Sequence, residues 1–394
     1  MAEGSLDYLK KELAQLEQAG AAIHPRTLEG EQLPRARFDG REVVNLASNN
    51  YLGLAAHPRL KEAASRAAAE LGAGSGAVRT IAGTMTMHRE LEKRFAAFKG
   101  AEDAIMFQSG FTANSGTVAA ILSKEDVIVS DQLNHASIID GARLSRAEIK
   151  VFPHKDAAAA DKLLEETKAD GRRQLLVTDG VFSMDGDIAP LPDLCDVAER
   201  HGAIMMIDDA HASGVLGENG RGTVDHFGVH GRVDIQVGTL SKAIGVLGGF
   251  IAGPSHLIEW LVNRGRPFLF STSAPPAVVA ACIAALDILE EEPERVQRLW
   301  DRTRFFKEGL RSLGYDTGAS ETPITPVIAG EDRAAQDLSR LLFDEGVFTP
   351  AIVFPTVAKG SARVRTIVTS EHTERDLQQA LDAFESVGKK LALI

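Results

Sequence analysis

Lys242 stands in the run Val237-Gly238-Thr239-Leu240-Ser241-Lys242-Ala243-Ile244-Gly245-Val246-Leu247-Gly248-Gly249, a lone charge among small and apolar residues. Desolvating an ammonium is costly, so this setting lowers the lysine's pKa and leaves part of it as free amine. A free amine attacks carbonyls, which is what a Schiff-base lysine must do. Taken alone, such a lysine is more often one that snorkels its head into water. It acquires chemical meaning only beside other groups.

Those groups follow short apolar runs. Ile204-Met205-Met206-Ile207 leads into Asp208-Asp209-Ala210-His211, an acid with a histidine three residues on. A turn aspartate capping the next helix is the plain alternative, and it suits Asp209 better than Asp208. Leu175–Thr178 leads into Asp179-Gly180-Val181-Phe182-Ser183-Met184-Asp185-Gly186, a glycine-shaped loop that presents Ser183. Phe107 leads into Gln108-Ser109-Gly110-Phe111-Thr112-Ala113-Asn114 and then a helix. Small residues opening a helix leave N–H groups free at its positive end, which suits a phosphate. Val129 leads into Ser130-Asp131-Gln132-Leu133-Asn134-His135-Ala136-Ser137, where His135 can lay its ring on a planar ligand.

Together these groups match pyridoxal phosphate. Its phosphate needs helix N–H groups, its ring nitrogen a carboxylate that keeps it protonated, and its aldehyde a lysine. Asp208 and Lys242 supply the last two, His211 is placed to donate to the phenolic oxygen, and Thr239 adds a hydroxyl near the phosphate.

A parallel sheet would position these residues. Met87–Lys99 has helical spacing, and seven short apolar runs are expected as strands: Ala104–Phe107, Val127–Ser130, Ile149–Phe152, Leu175–Thr178, Ile204–Ile207, Ile235–Val237 and Gly249–Ala252. Continuous apolar strands alternating with helices indicate a sheet covered on both faces, with ligands beyond the carboxyl ends of its strands. After about residue 255 come helical patterns at Ala277–Glu291 and Glu294–Leu313, strand-like pieces at Thr325–Ile328, Val347–Phe348 and Arg363–Val368, and a helix from Glu374. The expected division is an N-terminal helix and strand segment (1–50), a large cofactor domain (51–255) and a small α+β domain (256–394). In residues 5–20, Leu6, Leu9, Leu13 and Leu16 form one helical face ended by Gly20, expected to dock on the body or on a partner subunit.

With 394 residues, 44% of them hydrophobic, the chain can build more than one core. A net charge of −12 gives no nucleic-acid footprint. Cys195 and Cys282 supply neither a disulfide framework nor metal-ligand spacing, so no metal is expected. The N-terminus mixes acids and bases without an apolar core, and no apolar stretch is long enough to span a bilayer. No membrane association and a cytoplasmic location are the expectations.

The chain resembles the α-oxoamine synthases, a branch of the aspartate-aminotransferase-like, fold type I pyridoxal phosphate enzymes. The motifs are Asn49-Asn50-Tyr51-Leu52-Gly53-Leu54, Gly74-Ser75-Gly76-Ala77-Val78-Arg79, Asn134–Gly141, Asp179–Gly186, Asp208–His211, Gly238–Ala243 and Phe270-Ser271-Thr272-Ser273. The resemblance implies an α/β large domain with a mostly parallel seven-stranded sheet and a smaller C-terminal domain. It implies that Lys242 carries the cofactor, Asp208 meets the ring nitrogen, His211 the phenolic oxygen and His135 the ring face. Ser109, Gly110, Phe111 and Thr239 would border the phosphate, with Ser183 at the cofactor and substrate. Thr272 or Ser273 would reach across to the partner's cofactor, which implies a homodimer. Asn49 and Arg365 would hold the substrate carboxylate, with Arg363 expected on the other face of the strand. The reaction implied is condensation of an amino acid with an acyl-CoA. Glycine with acetyl-CoA, giving 2-amino-3-oxobutanoate in threonine and glycine metabolism, is preferred on the match of Gly180–Gly186 and Asn134–Gly141. The alternatives are L-alanine with pimeloyl-CoA, giving 8-amino-7-oxononanoate with loss of CO2 for biotin, or both activities in one enzyme. A non-catalytic scaffold subunit is disfavoured by the intact Lys242. Arg26 and Lys359 are candidate contacts for CoA phosphates, with ordinary surface charge as the default for each.

Overall fold

The computed structural model describes residues 4–18 and 22–394. At its centre is a seven-stranded sheet in the order Asp103–Phe107, Gly249–Gly253, Ile235–Thr239, Ile204–Asp208, Gln174–Asp179, Val127–Asp131, Glu148–Phe152. Gly249–Gly253 runs against both of its neighbours, and every other pairing is parallel. All seven expected strands are present.

Alternation along each strand assigns its side chains to opposite faces. Ile105, Phe107, Ile128, Leu175, Val177, Met206, Ile235, Val237 and Ile251 share one apolar cluster with the helices Gly110–Ile121, Ala136–Ser145 and Ser255–Arg264. Their sequence neighbours turn the other way. Val127, Val129, Leu176, Met205 and Ile207 meet Ala157–Glu166 and Leu191–His201. Ala104, Met106, Phe250 and Ala252 meet Thr86–Lys99 and Pro276–Glu291. Two-sided burial is why these strands read as unbroken apolar runs. Each fully buried Leu, Ile or Val among them contributes about 1.5–3 kcal/mol.

The smaller core lies among the helices Glu294–Ser312, Asp332–Asp344 and Glu374–Lys390 and an antiparallel sheet ordered Ile324–Gly330, Ala362–Ile367, Ala351–Ile352. Strand Arg41–Asn45 joins it from the N-terminal segment, pairing in parallel with Val347–Phe348. The core around the large sheet continues past residue 255. Ile258 and Leu261 pack on the large sheet, and Val279 to Leu289 pack with Leu91 and Phe250. The helices that follow residue 255 in the sequence are needed to cover the sheet.

Helix Tyr8–Gln18 buries no residue, and Leu6, Leu9, Leu13 and Leu16 are exposed. The body of this chain does not cover that face. Gly20, expected to end the helix, lies outside the described residues. Among the described residues, no helix is long and apolar enough to cross a membrane.

Candidate active site

Three adjacent parallel strands end on Asp179, Asp208 and Thr239, so their termini open on one side of the sheet. There lies a cavity of about 260 Å³ lined by Ser109, Gly110, Phe111, Asn114, His135, Ser137, Asp179, Val181, Asp208, Ala210, His211, Thr239, Ser241 and Lys242. The strand-end rule therefore brings together the predicted phosphate residues, ring acid, histidines and lysine, which the chain scatters over more than 130 positions.

One end of the cavity is the start of helix Gly110–Ile121. Ser109 caps it, its Oγ accepting from Thr112 N at 3.1 Å while Thr112 Oγ1 accepts from Ser109 N at 3.0 Å. This reciprocal box fixes the first turn and leaves its leading N–H groups toward the cavity. The backbone comes close here: a Cβ on Gly249 would lie 2.5 Å from Gly110 N. Thr239 Oγ1 lies 2.9 Å from Ser241 Oγ and donates to Gly248 O at 3.2 Å.

Asp208 is buried. Its Oδ2 accepts from Asn114 Nδ2 at 2.5 Å and its Oδ1 from Ala210 N at 2.8 Å. Asp179 is in register beside it on the next strand. Burial and the Asp208 carboxylate push the Asp179 pKa well above the usual range. Lys242 is half-buried. Burial lowers its pKa to about 8, against the opposing pull of Asp208 and Asp179. About a tenth of free amine at pH 7, rising to about half near pH 8, follows.

His211 is buried, with Nδ1 2.7 Å from the Tyr51 hydroxyl. Burial, with Lys242 and Arg365 nearby, holds its pKa well below the ordinary value, so the imidazole is neutral. His135 caps helix Ala136–Ser145, its Nδ1 accepting from Ser137 N at 3.3 Å. With Nδ1 accepting, the neutral ring carries its proton on Nε2. Burial lowers its pKa as well.

Asn49, Ser183 and Arg365 form a second group outside the cavity wall. Arg365 donates from Nη1 to Ser183 O at 3.0 Å and from Nη2 to Asn49 Oδ1 at 3.3 Å. Its Nε is buried with no hydrogen-bond partner among the described residues. Arg363 does not face away: it pairs with Asp185 and donates to Met184 O at 3.2 Å. Residues two apart on a strand share a face, so both arginines reach the same loop. Only Arg365 also reaches Asn49 and acts electrostatically on Lys242 and His211.

Thr272 and Ser273 separate. Ser273 is buried and spends its hydroxyl on Ala77 O at 3.1 Å. Thr272 is exposed, and its carbonyl accepts from Gln108 Nε2 at 3.1 Å, which ties it to the phosphate-end loop. Asp209 is removed from the site: it forms a fully buried ion pair with Lys99 at 2.7 Å. Arg26 pairs with Asp39 and stacks over Phe343, while Lys359 lies 5.2 Å from the centre of the Phe354 ring.

The residues present fit pyridoxal phosphate. The cavity offers uncommitted helix N–H groups at one end, a lone lowered-pKa amine, and a carboxylate clamped by two donors. A family profile described as aminotransferase class I and II matches residues 41–384. The 8-amino-7-oxononanoate synthase of Symbiobacterium thermophilum is 59% identical over 388 residues, 98% of this chain and 99% of that one. That of Thermoanaerobacter pseudethanolicus is 59% identical over 389 residues, 99% and 98% of the two chains. The chain belongs to the class I and II aminotransferase family, in its α-oxoamine synthase branch. A serine palmitoyltransferase from S. paucimobilis, solved with bound PLP–myriocin, superposes with a TM-score of 0.93 at 31% identity, over 99% and 98% of the two chains.

This α-oxoamine synthase is a pyridoxal phosphate-dependent acyltransferase. The relatives' names match the 8-amino-7-oxononanoate alternative rather than the 2-amino-3-oxobutanoate reading preferred on sequence. The physical reason lies in the two stretches that carried the preference. His135, Ser137 and Val181 from these stretches line the cofactor cavity, a place that bears on the cofactor rather than on acyl length. Asn114, Ser137, Ser241 and Tyr51 escaped the sequence reading of the site. The only signal for Asn114 is its place one turn into the helix that Ser109 caps.

Proposed function

We propose that this α-oxoamine synthase condenses L-alanine with pimeloyl-CoA, releasing CoA and CO2 and forming 8-amino-7-oxononanoate. The observation that carries the reading is 59% identity, over nearly the whole of both chains, to relatives bearing that product's name. The intact set of Lys242, Asp208, His211 and His135 around one cavity supports it.

Pyridoxal phosphate, when bound, supplies an aldehyde that condenses with amines and a ring that draws an electron pair away from the amino acid's α-carbon. Lys242 would hold the aldehyde through its Nζ. As a free amine the same Nζ would be the base that takes the α-proton, a role suited to a pKa of about 8. Asp208, fixed by Asn114 and Ala210 N–H, would keep the ring nitrogen protonated. His211 would donate to the phenolic oxygen. His135 would cover the ring face and present Nε2–H to the thioester carbonyl. The helix start at Ser109, Gly110 and Phe111, with Thr239, would hold the phosphate. Arg365, its guanidinium fixed by Asn49 and the Ser183 carbonyl, would hold the substrate carboxylate.

The active form in this proposal is a homodimer with shared sites. Thr272, exposed beside the phosphate-end loop, is the residue that would reach the partner's phosphate; the Ser273 hydroxyl is already committed. The deciding experiment is a free-CoA release assay pairing L-alanine or glycine with pimeloyl-CoA or acetyl-CoA, with product mass recorded. The alanine–pimeloyl pair should give the highest kcat/KM, and Lys242→Ala should abolish release. Faster release with glycine and acetyl-CoA would overturn the substrate assignment.

A further inference from the structure

Tyr51 is buried with 1% of its surface exposed, yet its hydroxyl must place a hydrogen. Among the described residues the partner it has is Nδ1 of His211, at 2.7 Å. The two rings meet edge-on, with centroids 6.1 Å apart at 78°. Burial raises the phenol's pKa, so the hydroxyl stays protonated. Two arrangements are conceivable. If Nδ1 carried the imidazole proton, it would donate to the tyrosine oxygen, and the phenolic hydrogen would be buried with no acceptor. If Nδ1 accepts, both groups are satisfied and the imidazole proton sits on Nε2. A doubly protonated ring is opposed by burial and by Lys242 and Arg365. Nε2 makes no hydrogen bond among the described residues, and His211 lines the cavity.

We propose that Tyr51 is a positioning residue which, by donating its hydroxyl to Nδ1, locks His211 in the Nε2–H form and aims one N–H donor into the cofactor cavity. Tyr51 comes from the loop after strand Arg41–Asn45, and His211 lies 160 residues later, beyond the strand ending at Asp208. The loop after the N-terminal segment thus sets the protonation pattern of a residue at the centre of the large sheet. The consequence for the cofactor is definite. A phenolate oxygen needs a donor, and the opposite tautomer would offer it a lone pair. The inference draws on the pyridoxal phosphate assignment for this consequence, but the tautomer itself belongs to the protein alone.

The test uses full-length protein labelled with ring-15N histidine, first without cofactor and then loaded. His211→Asn identifies the His211 resonances. In the wild type, Nδ1 should give the unprotonated and Nε2 the protonated signal in both forms. In Tyr51→Phe, the His211 signals should shift toward the other tautomer or a mixture. Pyridoxal phosphate should then bind about tenfold more weakly, the effect of losing one oriented hydrogen bond to a charged group. The titration midpoint of the visible cofactor band should also move, which loss of packing alone would not cause. Protonated Nδ1 in the wild type would overturn the proposal, whether or not the variant folds. So would a Tyr51→Phe protein with unchanged 15N signals and an unchanged band. An Nε2–H signal in protein that binds no cofactor would instead leave the tautomer standing and remove the cofactor assignment.

Discussion

His154 provides a test of how the site's loops are held. Its Nδ1 lies 3.0 Å from Asp131 Oδ1 and its Nε2 2.8 Å from Asp187 Oδ2. Asp131 begins the loop that carries His135, and Asp187 closes the loop that carries Ser183. Lys155 also faces the pair, at 3.1 Å from Asp187 Oδ2, and the edge of Phe182 packs on the ring. Burial opposes charge on this ring, but the two carboxylates overcome it and raise the pKa to about 9. An unfolded histidine titrates near pH 6.5, so the gap corresponds to roughly 3 kcal/mol of stability, an upper bound given partial exposure. The sign follows from proton counts. Below about pH 6.5 both states hold the proton and the contribution is complete. Between about 6.5 and 9 only the folded state holds it, so stability falls by about 1.4 kcal/mol per pH unit. Above about pH 9 the contribution is gone. Melting of cofactor-loaded wild type and His154→Gln should therefore differ most at pH 6 and converge by pH 10. Curves that stay parallel between pH 7 and 9 would show that the ring is not charged there, and the clamp would fail with it.

Three further substitutions probe the cavity and its rim. Thr272→Val should raise the dissociation constant for pyridoxal phosphate about tenfold with little change in melting, whereas Ser273→Ala should cost about 1 kcal/mol of stability and leave cofactor affinity intact; the reverse pattern would exchange their roles. Gly249→Ala would put a methyl group 2.5 Å from Gly110 N, so the first turn of helix Gly110–Ile121 must shift. An overpacking cost of about 1–3 kcal/mol is expected to appear in the cofactor dissociation constant, and equal affinities in a fluorescence titration would contradict it.

What was legible in the sequence divides by the range over which each residue acts. The seven strands could be read because two-sided burial makes each one locally apolar, and a residue that follows such a run is delivered to the ligand edge by topology alone. Lys242, Asp208, Asp179, His135, His211 and the Ser109 loop are all of this kind. Asn49 and Arg365 were accessible only through resemblance, because 316 residues separate them and no local pattern marks either. The residues missed act through a partner. Asn114 matters because its amide meets Asp208, 94 residues on, and Tyr51 because its hydroxyl meets His211. Neither has an unusual neighbourhood in the chain. An Asn inside a helix and a Tyr after a strand are ordinary until the fold brings each against a buried ionisable group. The same limit explains Asp208 and Asp209, which adjoin in the chain but serve different ends. Alternation turns one toward the cavity and the other toward Lys99, and only the strand's final register decides which. Substrate choice lies further out of reach. Residues of the two stretches that carried the substrate preference line the cofactor cavity, and every acyl-CoA would meet the same cofactor there.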